Sequence, residues 1–145
     1  MFRHILIPTD GSELAEKAIY SGVALAKQYG ARITALTVFK PFHVMTVDLG
    51  MLTDTPAAYT KHVAERTRKY LDVVSEAAKA AGVMCDAVSL EHEHPYQGII
   101  ESARNRECDL IVMASHGRSG VSAIVLGSQT VKVLTHSKIP VLVYR

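Results

Sequence analysis

Hydrophobic residues gather in five short runs: His4 to Pro8, Ile33 to Phe39, Val83 to Leu90, Leu110 to Ala114 and Val141 to Tyr144. Four of the five are nearly continuous rather than alternating, as in strands covered on both faces. Between them the period becomes helical. From Ser12 to Gly30 apolar positions recur at Ala15, Ala18, Ile19, Gly22, Leu25, Ala26 and Tyr29. Ser12 is the predicted N-cap, Glu13 and Glu16 suit the first turn, and Gly30 closes the helix. From Ala57 to Ala81 the spacing repeats through Val63, Thr67, Tyr70, Leu71, Val74, Ala77, Ala78 and Ala81, and Gly82 stops it. A shorter helix is predicted over Pro95 to Arg106, with proline tolerated in its first turn. The last, Ser128 to His136, ends ahead of Pro140.

Strand and helix thus alternate along the whole chain. Parallel strands need crossover connections, so the pattern predicts a single-domain α/β fold over residues 1–145, a parallel sheet between helices. No repeat, linker or second domain interrupts it. One connection is long: Lys40 to Pro56 has 17 residues, where such links usually have roughly 2 to 6. It reads either as a lid over a site or as a mobile insertion, and its Phe42, Val44, Met45, Leu49, Met51 and Leu52 favour some cover.

Composition narrows the class of function without naming it. The chain has 145 residues, 48% of them hydrophobic, enough for one sizeable core. A charged fraction of 21% and a net charge of +2, without a run of five like charges, single out neither nucleic acid nor a membrane surface as partner. Met1 to Ile7 carries Arg3 and no long apolar stretch follows, so neither signal peptide nor membrane span is expected and the location is read as cytoplasmic. Cys85 and Cys108 are expected to remain thiols in that compartment.

Ligands of open parallel sheets bind beyond the carboxyl ends of the strands, where the strand order reverses. Two strands here end in polar turns, PTDGS (Pro8 to Ser12) and SHGRSG (Ser115 to Gly120). If they are neighbours at the reversal, Asp10 faces a glycine-rich loop across one crevice. A carboxylate accepts two hydrogen bonds from the hydroxyls of a ribose. Three of the nine glycines fall at 117, 120 and 127, where main-chain N–H groups suit phosphate oxygens. Gly127 and Ser128 open the last helix, whose first N–H groups carry partial positive charge. Arg118 adds a cation that could reach phosphate or point into water, and Val121 to Leu126 is expected to pack down and fix the separation of Gly117 from Gly127. Singly, Asp10 makes a turn with Gly11, Ser128 is an ordinary N-cap, and the glycines serve backbone geometry. Together they form a nucleotide-shaped site.

Other chemistry has less support. His92 and His94 share one face if the third strand continues, with Glu91 and Glu93 on the other, but two imidazoles fall short of a four-ligand zinc site. Ser115 and His116 lack a third member of a triad, and GRSG is not a nucleophile elbow. The chain contains no GxxxxGK followed by Ser or Thr. Dedicated phosphoryl transfer also needs a placed metal and something to orient the nucleophile, and neither is assigned.

The opening HILIPTDGSELAEKAI, the closing IPVLVYR and the spacing of Gly117, Gly127 and Ser128 resemble the universal stress protein family, and the resemblance covers the whole chain. Its ATP-binding branch carries glycine, two residues, glycine, nine residues, glycine and then serine or threonine. Gly117, Gly127 and Ser128 match the later positions, and Ala114 stands in place of the first glycine. The resemblance implies a three-layer open twisted sheet of five parallel strands in the order 3-2-1-4-5, helices on both faces, reversing between strands 1 and 4. It implies that Asp10 holds the ribose and that the backbone of Val38 reads the adenine edge. Pro8 and Thr9 line the base side, Met113 and Ala114 the ribose side, and Gly117, Gly127, Ser128, Gln129 and Thr130 the phosphates. It further implies a cytoplasmic homodimer paired through Val141 to Tyr144, binding ATP, with ADP, AMP and accompanying magnesium as variations, and at most slow hydrolysis. Pairing would also protect a bare edge strand. The alternative is a dimeric interaction module of the same fold whose crevice binds no nucleotide; an enzyme that uses ATP to activate a small substrate is a more distant third.

Overall fold

A computed structural model describes residues 1–42, 55–118 and 125–145. Strand β1 (His4–Pro8) leads into helix α1 (Glu13–Tyr29), β2 (Arg32–Phe39), α2 (Pro56–Ala81), β3 (Cys85–Glu91), α3 (Pro95–Asn105), β4 (Leu110–Ala114), α4 (Ser128–His136) and β5 (Val141–Tyr144). All strand pairings are parallel and the sheet order is β3-β2-β1-β4-β5. The order and the parallel sense agree with the expectation from the sequence.

Continuous apolar strands arise because successive side chains enter different layers. Ile5, Ile7, Ile33, Ala35, Leu110 and Val112 point to one face, where they meet Ile19 and Val23 of α1 and Leu71 and Val74 of α2. Leu6, Leu36, Ile111 and Met113 point to the other face, against Ile99 and Ala103 of α3 and Val133 of α4. Fully burying one such Ile, Leu or Val contributes about 1.5–3 kcal/mol, so the central strands β1 and β4 hold the two layers together.

The helix ends follow local chemistry. Ser12 caps α1, its hydroxyl accepting from the Ala15 N–H at 3.2 Å. Thr55 does the same for α2 with Ala58 at 3.1 Å. Strand β3 starts at Cys85, two residues later than the sequence suggests: Val83 donates its N–H to the Ala78 carbonyl and finishes the helix cap, and Met84 is exposed. The strand also stops at Glu91, so His92 and His94 do not share a strand face. The His94 N–H instead donates to Nδ1 of His92 at 2.9 Å, while Nε2 of His92 lies 3.7 Å from Glu101. In the long link, Phe42 packs on Tyr59 at 5.2 Å between ring centroids; Val44, Met45, Leu49, Met51 and Leu52 lie outside the described residues. Among the described residues, no helix is long and apolar enough to cross a membrane.

A buried polar group sits at the end of the sheet away from the strand tips. His4 is 5% exposed, and its Nε2 lies 2.8 Å from Oγ1 of Thr34. Burial, with the Arg32 guanidinium as a second cause, lowers its pKa below the ordinary 6.5. The unfolded chain therefore takes up a proton that the folded chain resists, and stability falls as pH drops below about 6.5. Burial also pushes the Cys108 thiol up to about 11, which keeps it protonated. In urea titrations between pH 7 and pH 5, the wild-type midpoint is expected to fall on acidification, and His4→Leu to show a shallower fall. Equal pH slopes in the two proteins would refute this assignment.

Candidate functional site

Winding outward from β1 in one direction and from β4 in the other leaves a crevice beyond the adjacent tips of these strands. A cavity of about 640 Å³ occupies it, within the range of small-molecule sites. Eleven of the twelve residues expected at the site line it. The end of β1 contributes Pro8, Thr9 and Asp10, and β2 contributes Val38. The end of β4 contributes Met113 and Ala114, its loop Gly117, and the start of α4 Gly127, Ser128, Gln129 and Thr130.

Arg118 is the exception. Its guanidinium lies over the ring of Tyr70, 4.9 Å from the centroid, and its side chain is not part of the cavity wall. Its main chain is at the site nonetheless, because the Arg118 N–H donates to Oδ2 of Asp10 at 3.0 Å. The other carboxylate oxygen, Oδ1, accepts from the Ser12 N–H, also at 3.0 Å. Asp10 thus fixes its own turn and clasps the loop opposite. An ionised carboxylate has about four acceptor positions, so two remain for a ligand beyond these two bonds.

Gly117 and Gly127 each allow a close main-chain approach that a side chain would block. A Cβ on Gly117 would overlap Oδ2 of Asp10, so the bare residue lets the carboxylate reach the Arg118 amide. A Cβ on Gly127 would lie 3.1 Å from Cα of His116 and 3.4 Å from the Ser115 carbonyl. That closeness lets the Gly127 N–H donate to the Ser115 oxygen at 2.7 Å, seating α4 against the end of β4. Gly120 and residues 121–124 lie outside the described residues; Val125 is exposed and Leu126 lines the cavity.

Two polar side chains expected at the phosphates are engaged in holding α4. The Thr130 hydroxyl donates to the Ala114 carbonyl at 3.0 Å and is buried. Oε1 of Gln129 accepts from the Tyr96 N–H at 2.9 Å, capping α3, whose own N-cap residue His94 provides no side-chain bond. The N-cap of α4 is Gly127, which has no side chain to cover the helix tip. Ser128, at the first helical position, is exposed at the cavity wall.

Part of the wall is apolar: Leu36 and Val38 of β2, Pro95 and Ile99 of α3, and Met113. Leu36, Pro95 and Ile99 were not among the expected site residues. Leu36 is two residues from Val38 and so on the same strand face, and Pro95 and Ile99 are an i, i+4 pair on one helix face. The backbone of β2 adds polarity to this wall. The Leu36 carbonyl faces β1, accepting from the Thr9 N–H at 2.9 Å, and that of Phe39 faces β3, accepting from His92 at 2.9 Å. By strand alternation, Val38 turns its N–H and C=O the same way as Leu36, toward the side where β1 has already ended. Beside the cavity, Oγ of Ser115 lies 3.2 Å from Nδ1 of His116.

The universal stress protein family model matches residues 1–145. The universal stress protein YxiE of Bacillus subtilis is 31% identical over 149 residues, with all of both chains covered. Among solved structures, the protein MJ0577 of Methanocaldococcus jannaschii superposes with a TM-score of 0.82 at 25% identity, covering 99% of this chain and 96% of that one. A universal stress protein solved in complex with cAMP shares the fold with a TM-score of 0.72 at 21% identity, covering 99% and 97%. Matched by its family model from end to end, with the five-stranded order and the paired loops in place, this chain belongs to the universal stress protein family.

Proposed function

We propose that the chain binds an adenine nucleotide, ATP foremost and ADP or AMP as alternatives, in the cleft between β1 and β4. Occupancy would alter its conformation or its affinity for a partner during a stress response. One observation carries this reading: a single cavity joins an apolar wall, a carboxylate with acceptor positions to spare and a helix tip whose N-cap is glycine.

Each part of the ligand has a matching surface. Leu36, Val38 and Ile99 suit the faces of a base, and the Val38 N–H and C=O complement the acceptor and donor of an adenine edge. Asp10 accepts from the ribose hydroxyls. The first N–H groups of α4, from Ser128 through Thr130, with the Ser128 hydroxyl, receive the phosphates. The universal stress protein solved with cAMP holds an adenine nucleotide in this same fold. Among the described residues no group of three His, Cys, Asp or Glu gathers, so we assign accompanying magnesium to phosphate oxygens and water. We further propose a cytoplasmic homodimer paired along β5, where Leu142 and, on α4, Val131 and Leu134 are exposed apolar residues at the sheet edge. This reading includes no dedicated catalysis.

Acid extraction of gently purified protein is expected to release adenine nucleotide approaching one equivalent per chain. Added ATP at a hundredfold excess over Kd should raise Tm by about 5–10 °C. A clean extract with no thermal shift would overturn the reading in favour of a dimeric interaction module. Asp10→Ala is expected to weaken ATP binding about 30-fold in calorimetry and to remove the preference for ATP over 2′,3′-dideoxy-ATP. Gly127→Val forces the start of α4 away from Ser115 and His116, so the ATP-induced shift should vanish while the dimer persists in light scattering.

A further inference from the structure

We propose that Tyr70 is a positioning residue for this cleft, its ring stapling together the two loops that form it. The ring projects from α2, on the α1 side of the sheet, and touches both loops. On one side lies Gly11, in the turn that carries Asp10. Gly11 has φ +74°, and a Cβ there would run into the Tyr70 ring; the turn therefore approaches the ring as only glycine allows. On the other side lies Arg118, its guanidinium 4.9 Å from the ring centroid, as in a cation–π contact.

These contacts converge on one carboxylate. The residue stacked on Tyr70 is also the residue whose N–H donates to Oδ2 of Asp10, and the turn under the ring donates the Ser12 N–H to Oδ1. Tyr70 acts on the Asp10 carboxylate through Gly11 and Arg118. Thr67, Leu71 and Val74 on the same helix are buried in the core, which anchors α2 and hence the ring. Tyr70 is half-buried and Arg118 is exposed. Neither residue lines the cavity, so the stack can hold the loops without occupying ligand space.

The consequence for ligand choice rests on the nucleotide reading above. Acting through Asp10, the staple governs discrimination at the ribose and not at the phosphates. An exposed arginine beside a phosphate site would ordinarily be assigned to the phosphates directly. The two roles differ in outcome: a staple affects adenosine and ATP by the same factor, whereas a direct phosphate contact affects ATP alone.

Two measurements test the staple. In nucleotide-free protein, hydrogen exchange at the Arg118 amide is expected to accelerate about tenfold in Tyr70→Leu and in Arg118→Gln, and to stay near wild type in Tyr70→Phe, which keeps the ring. This arm needs no ligand, so it decides the staple even if the wild-type protein binds no nucleotide, an outcome that would defeat the nucleotide reading instead. In calorimetry, Tyr70→Leu and Arg118→Gln are expected to lose about tenfold of the preference for ATP over 2′,3′-dideoxy-ATP, with adenosine and ATP weakened equally. Unchanged exchange at Arg118 in Tyr70→Leu, or failure of Tyr70→Phe to preserve the wild-type rate, would overturn the proposal. So would an Arg118→Gln effect confined to phosphorylated ligands. Arg118 is exposed, so its variant keeps the test decisive should Tyr70→Leu fail to fold.

Discussion

Adjacent strands β1 and β4 send their chains toward opposite edges of the sheet, and the loops leaving them diverge unless something draws them together. The Asp10 carboxylate draws them together. Its two oxygens accept from the main chain on either side of the gap, at Ser12 and at Arg118. Charge-assisted bonds of this kind are stronger than neutral ones, and the rest of the site is arranged around them. Gly117 must lack a side chain for the carboxylate to pass, and Arg118 is brought to where Tyr70 can hold it. The α4 end of the cleft is set separately, by bonds from Gly127 and Thr130 to the carbonyls of Ser115 and Ala114.

Much of the fold was legible because the determinants were local. Continuous apolar runs mark strands buried on both faces, and β1, β4, β5 and α4 begin and end where the pattern places them. Ser12, Gly30 and Gly82 act as the caps their residue types suggest. The boundary misplaced by two residues, the start of β3, is one where backbone bonding overrides composition. Val83 is apolar enough to open a strand, yet its N–H belongs to the cap of α2. His92 and His94 would share a face only if the strand continued past them, and the pairing of β3 with β2 ends at Phe39 and Glu91, close to the expected end at Leu90. The strand order itself depends on crossovers that residue periodicity does not encode; it came from the family resemblance.

The site divides along the same line. That Asp10, Gly117, Gly127 and Ser128 line one cavity was legible because polar turns and glycines at the ends of two strands mark loops that can meet there. The allocation of side chains was not, because it depends on partners far apart in sequence. Gln129 caps a helix that begins 34 residues earlier at Pro95. Arg118 finds an aromatic ring on α2, and Tyr70, part of a helical apolar stripe in the sequence, turns out to cover a turn after β1. Leu36, Pro95 and Ile99 carried only the pattern of core residues. The cavity wall on that side is an extension of the core, so nothing in their spacing separates ligand contact from packing.

Ala114 bears directly on whether departure from the glycine pattern closes the cleft. It is 8% exposed and groups with Ala15 and Ala18 of α1, with Leu14 and Tyr144 packed around them. Its methyl is therefore accommodated among α1 residues that are themselves small. Its carbonyl is already engaged by the Thr130 hydroxyl, a bond that alanine makes as well as glycine does. The extra methyl exchanges backbone freedom at the end of β4 for packing against α1. Since the cavity retains about 640 Å³ with Ala114 in its wall, loss of the first motif glycine leaves the space between Asp10 and α4 open.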